Sequence, residues 1–142
     1  MKKYPQIPRE TVLRDLVASQ PGQEGKWFAA AKDAGLFELA IELANRSPSD
    51  PRTLTRASRD YAVKEPEFAL SAGMTALRGI AAGWGYEMTG EDVLAAYAAP
   101  MEAAGAAGAS TESVMADVRE LVAASGKGGA FVGRALGRLL EP

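Results

Sequence analysis

Residues 67–86 read EFALSAGMTALRGIAAGWGY, and between Phe68 and Tyr86 the single charged side chain is Arg78. The larger apolar residues, Leu70, Met74, Leu77, Ile80 and Trp84, recur at steps of three and four. That is the period of one side of an α-helix. Alanine and glycine fill most other positions, so the remaining sides are apolar as well. A helix apolar nearly all round is normally a buried one. The stretch therefore predicts a central buried helix over 67–86, against which the other helices pack. Arg78 must then reach solvent or a carboxylate, because burying an unpaired guanidinium is costly. The length approaches that of a bilayer span. The mid-stretch arginine, the glycine and alanine content and the amphipathic flanks favour a globular core instead.

Working outward, every neighbouring segment reads as helix. Asp50-Pro51 is an N-cap followed by a proline suited to the first helical position. A helix over 51–63 follows, with Leu54, Ala57 and Tyr61 on one side. Upstream, helices are predicted over 8–20 (Val12, Leu13, Leu16 and Val17 inward), 24–34 (Trp27, Phe28, Ala31, Ala34) and 36–46 (Leu36, Leu39, Ala40, Leu43). Pro21-Gly22 separates the first two, and Gly35 fits a C-terminal cap. Downstream, Thr89 caps a helix with Val93, Leu94, Tyr97 and Met101 inward, kinked at Pro100 and ended by Gly105 or Gly108. A further helix begins at Ser110 or Thr111, with Val114, Val118, Leu121 and Val122 inward. Gly126-Lys127-Gly128-Gly129 breaks the chain before a last helix over about 130–140. No run alternates as a strand does. The fold class expected is all-α, a single-domain array of about seven to eight antiparallel helices. Its parts are an extended arm at 1–7, a helical domain at 8–125 and a glycine-hinged C-terminal helix at 126–142.

The composition removes whole classes of chemistry. Among 142 residues there is no cysteine and no histidine. Disulfides, thiolate metal sites and cysteine nucleophiles are therefore absent. So are the usual neutral-pH general base and the commonest metal ligand. The carboxylates, lysines, tyrosines and serines that remain form no recognisable catalytic set. No enzyme activity, cofactor or metal is expected. Glu91 and Asp92 are adjacent and diverge by about a hundred degrees on a helix, which suits chelation poorly. A net charge of −2 gives no global pull toward nucleic acid or an anionic membrane. The N-terminus lacks the apolar run of a secretory signal, and the lack of cysteine fits a reducing cytoplasm.

Three surface features are candidates for function. Arg52, Arg56 and Arg59 fall together on the side of their helix opposite Leu54, Ala57 and Tyr61, with Arg46 nearby in sequence. Such a face grips an acidic partner, a carboxylate or a phosphate; it is equally what a solvated helix face looks like. Trp27, Trp84, Tyr86 and Tyr97 are candidates to line a small-molecule or lipid pocket, or to supply core area. The last helix has glycines at 129, 133 and 137 beside Phe131, Arg134 and Arg138, a surface for docking on its own domain, a partner or a second copy. Charge is also asymmetric: seven acidic residues between 87 and 120 face Arg119 alone, which suits self-association of a basic with an acidic face. Gly126-Lys127-Gly128-Gly129 lacks the spacing and the preceding strand of a nucleotide-binding loop.

The block Gly25-Lys26-Trp27-Phe28-Ala29-Ala30-Ala31-Lys32-Asp33-Ala34-Gly35-Leu36-Phe37-Glu38-Leu39-Ala40 resembles the hairpins of tetratricopeptide-type α-helical solenoids. Residues 50–60, DPRTLTRASRD, extend the resemblance to a type of bacterial helical protein with which no activity is associated. The resemblance spans roughly 22–105 and implies scaffolding or partner binding rather than catalysis. The function expected is a non-enzymatic protein–protein interaction module. Alternatives are a small-molecule or lipid-binding helical protein and a nucleic-acid-associated protein using the arginine face.

Overall fold

The computed structural model describes residues 9–85 and 87–137. The predicted N-terminal arm, Tyr86 and Arg138 lie outside them. Among the described residues there are eight α-helices and no strand, so the chain is all-α. Its contacts group it into two compact units, one ending at Pro48 and one beginning at Ser49. The boundary falls within Ser47-Pro48-Ser49-Asp50-Pro51.

The first unit holds α1 (Arg9–Ala18), a 3-10 turn (Glu24–Trp27), α2 (Phe28–Asp33) and α3 (Phe37–Arg46). The expected helix over 24–34 is thus a 3-10 turn running into a shorter α-helix. α2 ends as Gly35 implied: Gly35 takes φ +79, its N–H bonds Lys32 O, and the Leu36 N–H bonds Ala31 O. That pair of bonds is the Schellman closure. It turns the chain directly into α3, which packs on α2 and buries Leu39, Ala40 and Leu43. The stripe of α1 is half as wide as predicted: Leu13 and Val17 are buried, whereas Val12 and Leu16 are exposed.

The second unit holds α4 (Pro51–Asp60), α5 (Pro66–Ala81), α6 (Gly90–Ala107), α7 (Thr111–Ala124) and α8 (Gly126–Leu136). α5 is the packing centre, in contact with each of the other four and most extensively with α4 and α6. Its buried face shares Leu77 and Ile80 with the predicted stripe and is otherwise built of small residues. Ala69, Ala72 and Ala76 have no exposed surface, and Gly73, Leu77 and Ile80 complete that stripe, while Leu70 and Met74 are half-buried. Small residues let neighbouring helix backbones come close. Gly73 receives the buried ring of Pro100, through which α6 continues. Ser58 of α4, fully buried, donates to the Ala69 carbonyl of α5 at 2.6 Å. Phe68 meets Tyr61 edge-on, ring centroids 5.5 Å apart. Leu94, predicted to point inward, is exposed.

α5 stops at Ala81, five residues short of the predicted end. Gly83 takes φ +92 and bonds Ile80 O, and the Trp84 N–H bonds Gly79 O. This is again a Schellman closure, and the indole folds back onto Gly79, whose missing Cβ leaves room for it. α8 begins four residues earlier than predicted. Gly126, at φ +58, turns the chain out of α7, and Gly128 and Gly129 lie in the first turn of α8. A Cβ on Gly128 would fall on the Ala81 carbonyl, and one on Gly129 on the Val122 carbonyl. α8 packs on α5, α6 and α7, and so shares the second unit rather than standing apart.

Candidate functional site: an arginine-lined cleft

Asp50 caps α4 by accepting the Arg52 N–H at 3.1 Å, and Pro51 occupies the first helical turn. With the helix so started, Arg52, Arg56 and Arg59 lie at i, i+4 and i+7, on one side. The structure brings all three to one cleft of about 190 Å³ in the second unit. Ile80 of α5, Met88 of the α5–α6 connection and Asp92 and Ala95 of α6 line it too, with Pro51 and Thr55. Gly85, at φ +87, lies against Met88 and Pro51, and a side chain there would strike both.

The three arginines are not equivalent. Arg52 forks onto Asp92, Nε to Oδ1 at 3.1 Å and Nη2 to Oδ2 at 3.0 Å, and Nη2 also donates to the Glu87 carbonyl at 3.1 Å. Glu87 has φ 49, a left-handed backbone for a residue with a side chain. Asp92 is held from a second direction by the α6 capping box, its Oδ2 accepting the Thr89 N–H at 2.8 Å. The Thr89 amide and then the Arg52 guanidinium hold the Asp92 carboxyl below the usual aspartate range, and Asp92 holds Arg52 above the usual arginine range. The pair anchors α4 to the start of α6. Arg56 is exposed and makes no ion pair among the described residues. Arg59 touches Asp60 at 3.5 Å, both side chains more than half exposed.

Arg46, grouped with these arginines by sequence, belongs to the first unit. There it lies between Glu42 (3.6 Å) and Glu24 (3.7 Å). Arg14 forks onto Glu42 with two bonds of 3.0 Å and also pairs with Glu10. Glu42 is held below the usual glutamate range chiefly by Arg14, and Glu24 by its own amide and that of Gly22. Arg46 is therefore a member of a network in which two arginines meet three glutamates.

The aromatic candidates are separated. Trp27 is half-buried in the first unit, its indole N–H without an acceptor among the described residues. In the second unit Trp84 rests on Gly79, and Tyr97 is buried, which raises its hydroxyl pKa. In α8, Phe131 is half-buried and Arg134 exposed, while Val132 and Leu136 are buried. Arg78 is exposed and donates to Thr75 Oγ1 at 3.1 Å. It lines a second cleft of about 310 Å³ between α5 and α7, with Met74, Asp117, Glu120, Leu121 and Ala124. Sequence reasoning missed Asp92 as a partner of Arg52, for the two are 40 residues apart. No three acidic side chains among the described residues could together hold a metal ion, and no helix among them is long and apolar enough to cross a membrane. No family model, curated protein or solved structure matches the chain.

Proposed function

We propose that the chain is a non-enzymatic protein-interaction module of helical-repeat type, and that the arginine cleft receives an acidic group of its partner. One observation carries this reading: Arg56 and Arg59 line the same cleft as an arginine already fixed by a carboxylate. Arg52 and Asp92 cancel one another, so the surplus positive charge of the cleft is that of Arg56, with Arg59 beside it in a loose, exposed contact with Asp60. Ile80, Met88 and Ala95 give it an apolar wall beside that charge. Protein surfaces that recognise partners combine apolar contact with arginine in this way. A charge surplus of this kind steers an acidic partner and sets its register.

The test is the double variant Arg56→Glu/Arg59→Glu, which leaves the Arg52–Asp92 anchor intact. Capture of the native partner from the host extract is expected to be lost while the helical circular-dichroism signal is unchanged. A partner retained at wild-type strength by the folded variant would overturn the reading. The small-molecule reading has no comparable support, because Trp84 and Tyr97 are engaged in closure and core. The nucleic-acid reading predicts a mobility shift that weakens steeply with salt.

A further inference from the structure

We infer that the acidic group this cleft takes is a phosphate monoester, carried on a side chain of the partner protein. This deepens the proposed function and rests on it.

Charge is the first argument. The cleft is lined by three arginines and one aspartate. The Asp92 carboxylate has both oxygens occupied, Oδ1 by Arg52 and Oδ2 by Arg52 and the Thr89 amide. Arg56 and Arg59 are left facing the cleft with a joint charge that matches a phosphate monoester, about −1.5 to −2 near pH 7. A single carboxylate would neutralise only half of it. The Arg59–Asp60 contact is between exposed neighbours, and such pairs are weak enough to exchange for a better acceptor.

Donor geometry is the second argument. Planar guanidinium groups present paired N–H donors that match phosphate oxygens. Arg56 and Arg59 approach from successive turns of α4, and Thr55 lines the same cleft. A tetrahedral group with three terminal oxygens spreads its acceptor sites out of one plane, whereas those of a carboxylate lie in its plane on two oxygens.

The third is what surrounds the charge. Met88 and Ala95 present an apolar border, backed by the buried Pro51 and Ile80. This suits the carbon end of an ester better than a fully hydrated inorganic ion. At about 190 Å³ the cleft is large enough to admit a phosphorylated side chain.

The experiment titrates the full chain with an alanine-flanked phosphoserine pentapeptide, its serine and glutamate counterparts, inorganic phosphate and glycerol phosphate, read by calorimetry. The phosphopeptide is expected to bind roughly ten-fold or more tightly than the glutamate peptide. Its affinity should fall as pH drops through about 6, where the phosphate gains its second proton, and in Arg56→Gln/Arg59→Gln. Equal affinity for the glutamate peptide, or no measurable binding of the phosphopeptide, would overturn the inference. The proposed function would still stand if Arg56→Glu/Arg59→Glu loses the native partner, and would fall with the inference if it does not. Tighter binding of glycerol phosphate than of the phosphopeptide would replace the protein partner by a free metabolite-type ester.

Discussion

Replacing Gly73 by alanine probes the closest approach of α5 to α6. A Cβ built at Gly73 would lie 2.6 Å from Cδ, 2.7 Å from Cγ and 2.9 Å from Cβ of the Pro100 ring. Carbon atoms in ordinary contact sit about 3.5–4.0 Å apart, so the helices would have to separate by roughly 1 Å. Pro100 is fully buried and cannot swing aside. Overpacking of this kind costs about 1–3 kcal/mol. It is opposed by about 1 kcal/mol of helix propensity gained on replacing glycine by alanine. The net effect on its own is therefore modest, and the informative quantity is a coupling. In Pro100→Ala the ring is gone, the clash disappears, and Gly73→Ala should stabilise by about 1 kcal/mol through propensity alone. The double-mutant cycle, measured by urea unfolding followed at 222 nm, should thus show a coupling of about 1–3 kcal/mol. Equal stabilisation by Gly73→Ala in both backgrounds would refute the α5–α6 packing described above.

Two further outcomes follow from the same geometry. Gly128→Ala places its Cβ on the backbone carbonyl of Ala81, so it should destabilise by about 1–3 kcal/mol despite its better helix propensity; a more stable variant in thermal unfolding would contradict the docking of α8 on α5. Asp92 has a depressed pKa in the folded chain, so its contribution to stability is complete above its unfolded value of about 3.9 and is lost as pH falls below that. The stability gap between the wild type and Asp92→Asn, followed from pH 7 to pH 2, should shrink on the acid side. Glu24 and Glu42 are depressed as well and remain in both proteins, so the difference isolates Asp92.

The all-α class and the central place of α5 were legible because both follow from local pattern. The start of α4 was legible from Asp50-Pro51, and the start of α6 from Thr89, since caps are short-range chemistry. The end of α5 was not. Trp84 continues the apolar spacing because it folds back onto Gly79 after the backbone has already left the helix. Gly128 and Gly129 misled for a related reason: the residue that loosens an isolated chain also permits the closest helix approach. Gly128 and Gly129 are helical because Ala81 and Val122 lie against them. The small-residue part of the buried face of α5 was hidden for the same reason, as alanine contributes little to a hydrophobic pattern yet forms the contact. The shared face of Arg52, Arg56 and Arg59 needed nothing beyond helical geometry. That Arg52 is spoken for by Asp92 depends on tertiary packing, which no local spacing reveals.

The most direct test of the arginine cleft as the functional surface is nuclear magnetic resonance of the full chain, following the arginine Nε–Hε signals and the methyl groups on addition of the captured partner. The signals of Arg56 and Arg59 and the methyls of Ile80 and Met88 should shift together, saturating at one stoichiometry, while Arg14 and Arg46 stay in place. Saturable binding that moves other residues and leaves these four unchanged would contradict the account.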